Sequence, residues 1–240
     1  MNEQPLAGQV AVVTGGSGGI GTAIVRVLDQ AGACAVSLDR AAPFDKTIPW
    51  INCDAREDAS VAAGVAQVYQ ERGRLDLAIH AAGISRDAVV WKMSTEDWDQ
   101  VVDVNLRGAF LLLRHAIPWM RRGAGGRIVL IGSINGSRGK FGTSAYSASK
   151  AGLIGLAKSV ARETGRFGIC VNVIEPGWVS TPLTQALPKD VQEAALGETL
   201  LGALSEPADI AAAVLFLCGP GGRRITGQIL RVDAGQFLGG

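Results

Sequence analysis

The chain has 240 residues, 48% of them apolar, and its 23 Lys and Arg against 22 Asp and Glu leave a formal charge of +1. That length suits one large domain around one core and is cramped for two, while balanced charge without runs of either sign gives no reason to expect a nucleic acid or an acidic membrane as partner. No apolar run approaches the roughly 20 residues of a membrane helix, and Met1 to Gln9 lacks the basic region and apolar stretch of a secretory signal, so a cytoplasmic protein is expected.

In chain order, short β-branched runs alternate with longer helical patterns. Val10–Thr14 reads as a strand and runs into Gly15-Gly16-Ser17-Gly18-Gly19-Ile20-Gly21, at the head of a helix predicted over Gly19–Ala31. The glycines fit two spacings, Gly16-x-Gly18-x-x-Gly21 and Thr14-Gly15-x-x-x-Gly19-x-Gly21. Alone either is a tight turn; between a strand and a helix, the same residues let backbone amides face a pyrophosphate. A second strand, Ala33–Leu38, ends at Asp39, eighteen residues beyond Gly21. There a carboxylate accepts hydrogen bonds from adenosine ribose hydroxyls and repels a 2′-phosphate. Arg40 argues the other way, but Gly18 adds no basic group, so NAD(H) is the expected cofactor and NADP the less favoured one.

The remaining elements are a helix over Ala59–Glu71, a strand over Leu75–Ala81, one long helix over Thr95–Arg121, a strand over Gly126–Ile131, a helix over Ala145–Thr164, a strand over Ile169–Ile174, a helix over Pro207–Leu217 and a last strand over Ile229–Val232. Alternation of this kind predicts an α/β, doubly wound (Rossmann) parallel sheet with helices on both faces. The whole of 1–240 is read as one dinucleotide-binding and catalytic domain. Its ligand crevice is expected beyond the carboxyl ends of the strands, where Thr14, Asp39, Ala82, Ser133 and Pro176 lie. Leucines from Leu183 to Leu204 are interleaved with polar groups, as in a substrate lid or in plain surface helix packing.

Tyr146 and Lys150 are four apart on a predicted helix, so a phenol and an ammonium share one face about one turn apart. An ordinary phenol has a pKa near 10, and a neighbouring cation lowers it by favouring the phenolate, which suits proton exchange near neutrality. An ordinary surface pair has the same spacing; Ser133, thirteen residues upstream of Tyr146, and the glycine turn favour the chemical reading.

On these residues the chain resembles the short-chain dehydrogenase/reductase family over nearly its whole length. Asp54 and Ala55 match the segment that contacts adenine, Ala82 and Gly83 the turn after the fourth family strand, and Asn105 in Val-Asn-Leu-Arg-Gly the family's helix asparagine. The resemblance implies a catalytic set of Asn105, Ser133, Tyr146 and Lys150. It implies cofactor contacts from Gly15, Ser17, Gly19, Ile20, Gly21, Asp39, Asp54, Ala55, Ala82, Gly83, Tyr146, Lys150, Pro176, Gly177, Val179 and Thr181, with Val179 and Thr181 at the carboxamide. In such a site Ser133 bonds the substrate oxygen, Tyr146 exchanges its proton and Lys150 holds the nicotinamide ribose. Asn105 would anchor a relay water, or else serve as a structural amide at a kink.

Gly83-Ile-Ser-Arg-Asp, Trp98-Asp and Ile225-Thr-Gly-Gln are similar to 3-oxoacyl-[acyl-carrier-protein] reductases. The implied activity is interconversion of a secondary alcohol and a ketone, on a 3-hydroxyacyl or cyclic alcohol substrate, with an acyl thioester as one option. The alternatives are an NADPH-dependent 3-oxoacyl-carrier reductase and a non-catalytic dinucleotide sensor. Two departures stand out: Gly18, where many NADPH-dependent members carry arginine, and His80-Ala81-Ala82-Gly83, where the family usually has Asn-Asn-Ala-Gly.

His80 is read as a core histidine bonded to nearby backbone, and His115 as a helix-face or interface residue. Trp91, Met93, Phe141 and Trp178 are candidate pocket walls. Arg121, Arg122 and Arg127 flank a loop that is either solvated or faces an anionic acyl carrier. Cys34, Cys53, Cys170 and Cys218 are scattered, without the close pairs of zinc or dithiol sites, and are expected to be buried reduced thiols with no bound metal. The family implies a homotetramer, and the two long apolar helices are the expected pairing faces.

Overall fold

The computed structural model describes residues 4–239, with the side chain of Leu183 excepted. Met1 to Glu3, the start of the segment read for a leader, lie outside the described residues, as does the side chain of the first lid leucine. Seven parallel strands form one sheet in the order β3-β2-β1-β4-β5-β6-β7. These are β1 (Val10–Thr14), β2 (Cys34–Asp39), β3 (Trp50–Asn52), β4 (Leu77–His80), β5 (Gly126–Ile131), β6 (Ile169–Pro176) and β7 (Ile229–Val232).

Side chains alternate across the sheet, and both faces are apolar because both are covered. Val10 and Val12 face one core with α2 (Asp58–Arg72), α4 (Gly108–Met120) and α6 (Ser144–Thr164). Ala11 and Val13 face the other, with α1 (Gly19–Gln30) and α9 (Pro207–Cys218). The chain leaves β1 toward β2 and β3, then crosses to β4 on the other side, so the strand order reverses between β1 and β4. A crevice opens at such a reversal, beyond the carboxyl ends of the strands.

Two elements differ from the sequence reading. β3 was not expected: it is a three-residue edge strand, half exposed and lacking an apolar run, and it is held by pairing Ser37 to Trp50 and Asp39 to Asn52. The helix expected over Thr95–Arg121 is divided into α3 (Thr95–Val102), a π-helical stretch over Asp103–Arg107, and α4. The wider turn falls on Asn105, whose side chain and carbonyl are both drawn into bonds outside the helix. The cysteines are free, but Cys34 is only half buried, since it opens β2 at the sheet's rim. Among the described residues no helix is long and apolar enough to cross a membrane.

Candidate active site

The turn after β1 is built around two close approaches. Gly15 has φ +72°, and a Cβ there would lie 2.6 Å from Ala82 Cα, so only glycine lets the turn reach the end of β4. Gly21 packs its bare Cα against the Gly15 carbonyl, where any side chain would overlap. α1 begins at Gly19, and the preceding Gly18 provides no side-chain cap. Its first amides therefore have no intrahelical or side-chain acceptor, and the positive end of the helix dipole faces the crevice. Beyond it, Asp39 accepts N–H bonds from Ser17 at 3.1 Å and Ala41 at 3.2 Å, which fixes its carboxylate beside the turn.

A cavity of about 220 Å³ is lined by Gly15, Asp39, Asp54, Ala55, Ala82 and Gly83 among others. Asp54 carries bonds from Arg56 to both carboxylate oxygens, at 3.0 and 2.7 Å, and Arg56 holds its pKa below the usual carboxylate range. Thr181 lies over the glycine turn, its Cγ2 3.2 Å from where a Gly19 Cβ would stand. The same threonine caps α7 (Pro182–Gln185) through Thr184, whose hydroxyl in turn donates to the Val179 carbonyl at 2.7 Å. Uncapped amides, a fixed ribose-side carboxylate and a loop lying over the turn fit a nicotinamide dinucleotide.

Ser133 ends the segment after β5 and caps α5 (Ile134–Arg138), accepting the Asn135 N–H at 3.2 Å. Tyr146 and Lys150 rise from α6 with the ammonium 5.6 Å from the phenol ring centroid. Lys150 is buried, donates to the Ile131 carbonyl at 2.8 Å, and is pulled down to about 8 by burial. Ile131 O is its one acceptor among the described residues, so ammonium donors remain for a ligand.

The expectation that Lys150 lowers the Tyr146 pKa is corrected. Burial pushes the phenol up, the Ser133 hydroxyl beside it pulls down, and the Asp87 carboxylate adds to the rise. The ammonium stands beyond the ring and bonds to backbone, whereas desolvation acts on the phenol directly.

Asn105 is fully buried: its Oδ1 accepts the Ile84 N–H at 2.8 Å, and its amide donates to Ile84 O and Ser149 Oγ, each at 3.0 Å. The loop after β4 is thereby tied to α6. His80 supplies the bonds that its departure from the asparagine pattern put in question. Its Nε2 faces the Asn105 carbonyl at 3.1 Å, so that nitrogen carries the proton, and its Nδ1 accepts from the Thr14 hydroxyl at 2.8 Å. Burial takes its pKa down to about 3, helped by the Lys150 charge. His80 is neutral, as a core histidine bonded to backbone should be.

The other candidates separate. Trp91 and Phe141 are exposed, 76% and 87%, while Met93 and Trp178 are half buried. A bridge between Ala88 and Thr143 sets the turn carrying Trp91 beside the start of α6, at the mouth of the crevice. Arg121 and Arg122 stack on Phe167 and Trp119, and Arg127 lies at the start of β5, the end of the sheet opposite the crevice. They do not face the mouth. His115 bonds Asp58 at 2.9 Å, joining α4 to α2. The sequence reading missed Glu175, Arg138 and Gln236, long polar side chains in segments whose apolar neighbours carried the visible pattern.

A family model described as enoyl-(acyl carrier protein) reductase matches residues 15–236. The chain belongs to the short-chain dehydrogenase/reductase family. This member is 38% identical to the acetoacetyl-CoA reductase of Acinetobacter sp. (strain RA3849), over 99% of this chain and 100% of that protein. It is 35% identical to the 3-oxoacyl-[acyl-carrier-protein] reductase FabG of Thermotoga maritima, over 97% of this chain and 99% of the relative. A crystal structure of gox2181 superposes with a TM-score of 0.93 at 30% identity, covering 98% of this chain and 97% of the other. This family member is thus an oxidoreductase acting on CH–OH groups, interconverting a secondary alcohol and a ketone.

Proposed function

We propose that the protein is an NAD(H)-dependent reductase of 3-oxoacyl thioesters, with Ser133, Tyr146 and Lys150 as its catalytic residues. The observation that carries the reading is a buried ammonium with unused donors, set beside a partly buried phenol that Ser133 also touches, next to the β1–β4 crevice. A bound nicotinamide dinucleotide supplies the hydride. The amides of Gly19, Ile20 and Gly21 would hold its pyrophosphate, with Gly15 and Ser17 completing the turn, and Asp39 its adenosine ribose. Asp54, Ala55, Ala82 and Gly83 would border the adenosine, Lys150 and Tyr146 the second ribose, and Pro176, Gly177, Val179 and Thr181 the nicotinamide.

On the substrate side Ser133 donates to the ketone oxygen. Tyr146 delivers its proton to the same oxygen as charge develops there, and the Lys150 ammonium, with donors to spare, would hold the nicotinamide ribose beside it. Because burial raises the phenol pKa, Tyr146 carries its proton at neutral pH and is available as the acid. Asn105 keeps the Gly83–Ile84 loop against α6, and a Gly83 Cβ would stand 3.2 Å from the Lys150 ammonium. The relatives' names support a 3-oxoacyl thioester over a cyclic alcohol, and the exposed Trp91 and Phe141 offer an acyl chain an apolar rim. We infer that the whole chain works as one domain, with 183–204 as its lid.

The cofactor reading rests on Asp39. Its carboxylate opposes a 2′-phosphate, and Arg40, 68% exposed, leans toward Asp54 at 3.9 Å. Steady-state rates on acetoacetyl-CoA test both parts. The wild type should favour NADH over NADPH, and Asp39→Ala should cut that ratio by about 10- to 100-fold, the loss of a hydrogen bond to a charged group. A wild type that prefers NADPH overturns the cofactor assignment. Tyr146→Phe should keep NADH binding and lose turnover by about 10³-fold or more. A 2-enoyl thioester is the control, and reduction of it alone overturns the substrate.

A further inference from the structure

We propose that Gln236 is a positioning residue whose side-chain amide clamps the loop after β6 to the lid helix α8 (Lys189–Gly197). Its Oε1 accepts the Trp178 N–H at 2.5 Å, and its Nε2 donates to the Ala195 carbonyl at 3.1 Å and reaches the Glu198 carboxylate at 3.5 Å. One end needs an acceptor and the other a donor, and a neutral amide supplies both at a fixed separation. Gly177 corroborates the approach, because a Cβ there would overlap Gln236 Oε1 and stand 2.7 Å from Asp233 Cβ. The missing side chain in Pro176-Gly177 therefore makes room for the carboxyl-terminal segment.

That segment is itself pinned. The Asp233 carboxylate accepts the Gly235 and Phe237 N–H groups at 3.0 and 2.9 Å, and the Ala234 carbonyl accepts the Leu200 N–H at 2.9 Å. Arg231 reaches the Gly239 carbonyl, covers the Phe237 ring at 4.4 Å, and bonds Glu175 at 3.2 Å. Glu175 is fully buried and also accepts from Ser137 of α5 at 2.7 Å. Arg138, next along α5, pairs with Glu198 at 2.9 Å and lies 3.4 Å from the Gln236 carbonyl. The helix capped by Ser133, the loop after β6 and the lid thus meet at one residue. Gln236 sets how far α8 stands from the crevice. Its consequence for turnover rests on the function proposed above; the clamp itself does not.

Hydrogen exchange on the intact chain, with steady-state kinetics beside it, tests the clamp. Gln236→Leu should speed exchange in residues 189–197 and at the Trp178 amide by about tenfold or more, and raise KM for the ketone several-fold with a smaller change in kcat. Gln236→Glu keeps an acceptor for Trp178 but loses the donor to Ala195. In that variant the lid should exchange fast while the Trp178 amide stays protected, and protonating the introduced carboxyl, which faces the Glu198 carboxylate and the Arg138 guanidinium paired with it, should slow the lid again as pH falls. Unchanged lid exchange in both variants overturns the clamp, and so does a Gln236→Glu lid that ignores pH. If the wild type reduces no ketone, the proposed function falls while the exchange results still decide the clamp.

Discussion

At the scale of residues, the phenol and the ammonium carry opposite consequences of the same burial. The chain has two tyrosines, so subtracting the Tyr146→Phe curve from a 295 nm titration isolates Tyr146. In cofactor-free protein it should ionise above the ordinary pKa of about 10. Asp87→Asn should bring it down, because that carboxylate contributes to the rise; Lys150→Met should move it little. A Tyr146 that ionises below 9 and rises on removal of Lys150 would restore the ammonium as the controlling charge.

For Lys150 itself the folded pKa, about 8, lies below the ordinary lysine value of 10.5. The unfolded chain therefore binds more protons between those values, and stability from this group is present above the upper one and lost as pH falls toward the lower. Below about pH 8 the buried charge opposes folding by up to about 3 kcal/mol. Lys150→Met should raise the melting temperature at pH 7, and its advantage over wild type should shrink as pH climbs from 8 to 10.5. An advantage independent of pH would mean that folding does not lower the Lys150 pKa.

At the scale of elements, the π-helical stretch is where the chain's departure from its family pattern is absorbed. His80 joins β1 and β4 to this stretch through Thr14 and the Asn105 carbonyl, and it does so only as the neutral tautomer. Its folded pKa, about 3, lies below the ordinary histidine value of 6.5, so its stabilisation is intact above 6.5 and drains away as pH falls from 6.5 to about 3. His80→Asn should cost stability at pH 7 and lose that disadvantage toward pH 4, a convergence of a few kcal/mol in parallel urea melts. Curves that stay parallel over that window would show that His80 protonates without disturbing the stretch.

At the scale of the whole molecule, assembly is the remaining expectation. Phe110 on α4 and Phe216 on α9 are apolar and 44% and 49% exposed. These are faces that copies of the chain would cover, and we propose a homotetramer. Sedimentation at micromolar concentration should give four times the monomer mass, and Phe110→Glu should lower it by placing a charge in an apolar contact. A wild type that sediments as a monomer overturns the assembly.

The alternating runs at Val10–Thr14 and Gly126–Ile131, the glycine turn and the Tyr146–Lys150 spacing were sufficient to read the layered fold and name the candidate site, because periodicity and backbone requirements are local. What lacked a local signal was read less well. β3 depends on a partner strand, since Trp50–Asn52 has no apolar run of its own. The break in the long helix depends on His80 and Ile84 arriving at Asn105 from β4 and the loop after it. The direction of the Tyr146 shift depends on how much water the surrounding chain removes, which spacing along a helix does not encode. Gln236 became meaningful only when Trp178 and Ala195 were brought to its two ends. The sequence by itself determined which groups are available and in what order they come; the tertiary structure decided their protonation and their partners, because desolvation and long-range hydrogen bonds exist only once the chain has closed around them.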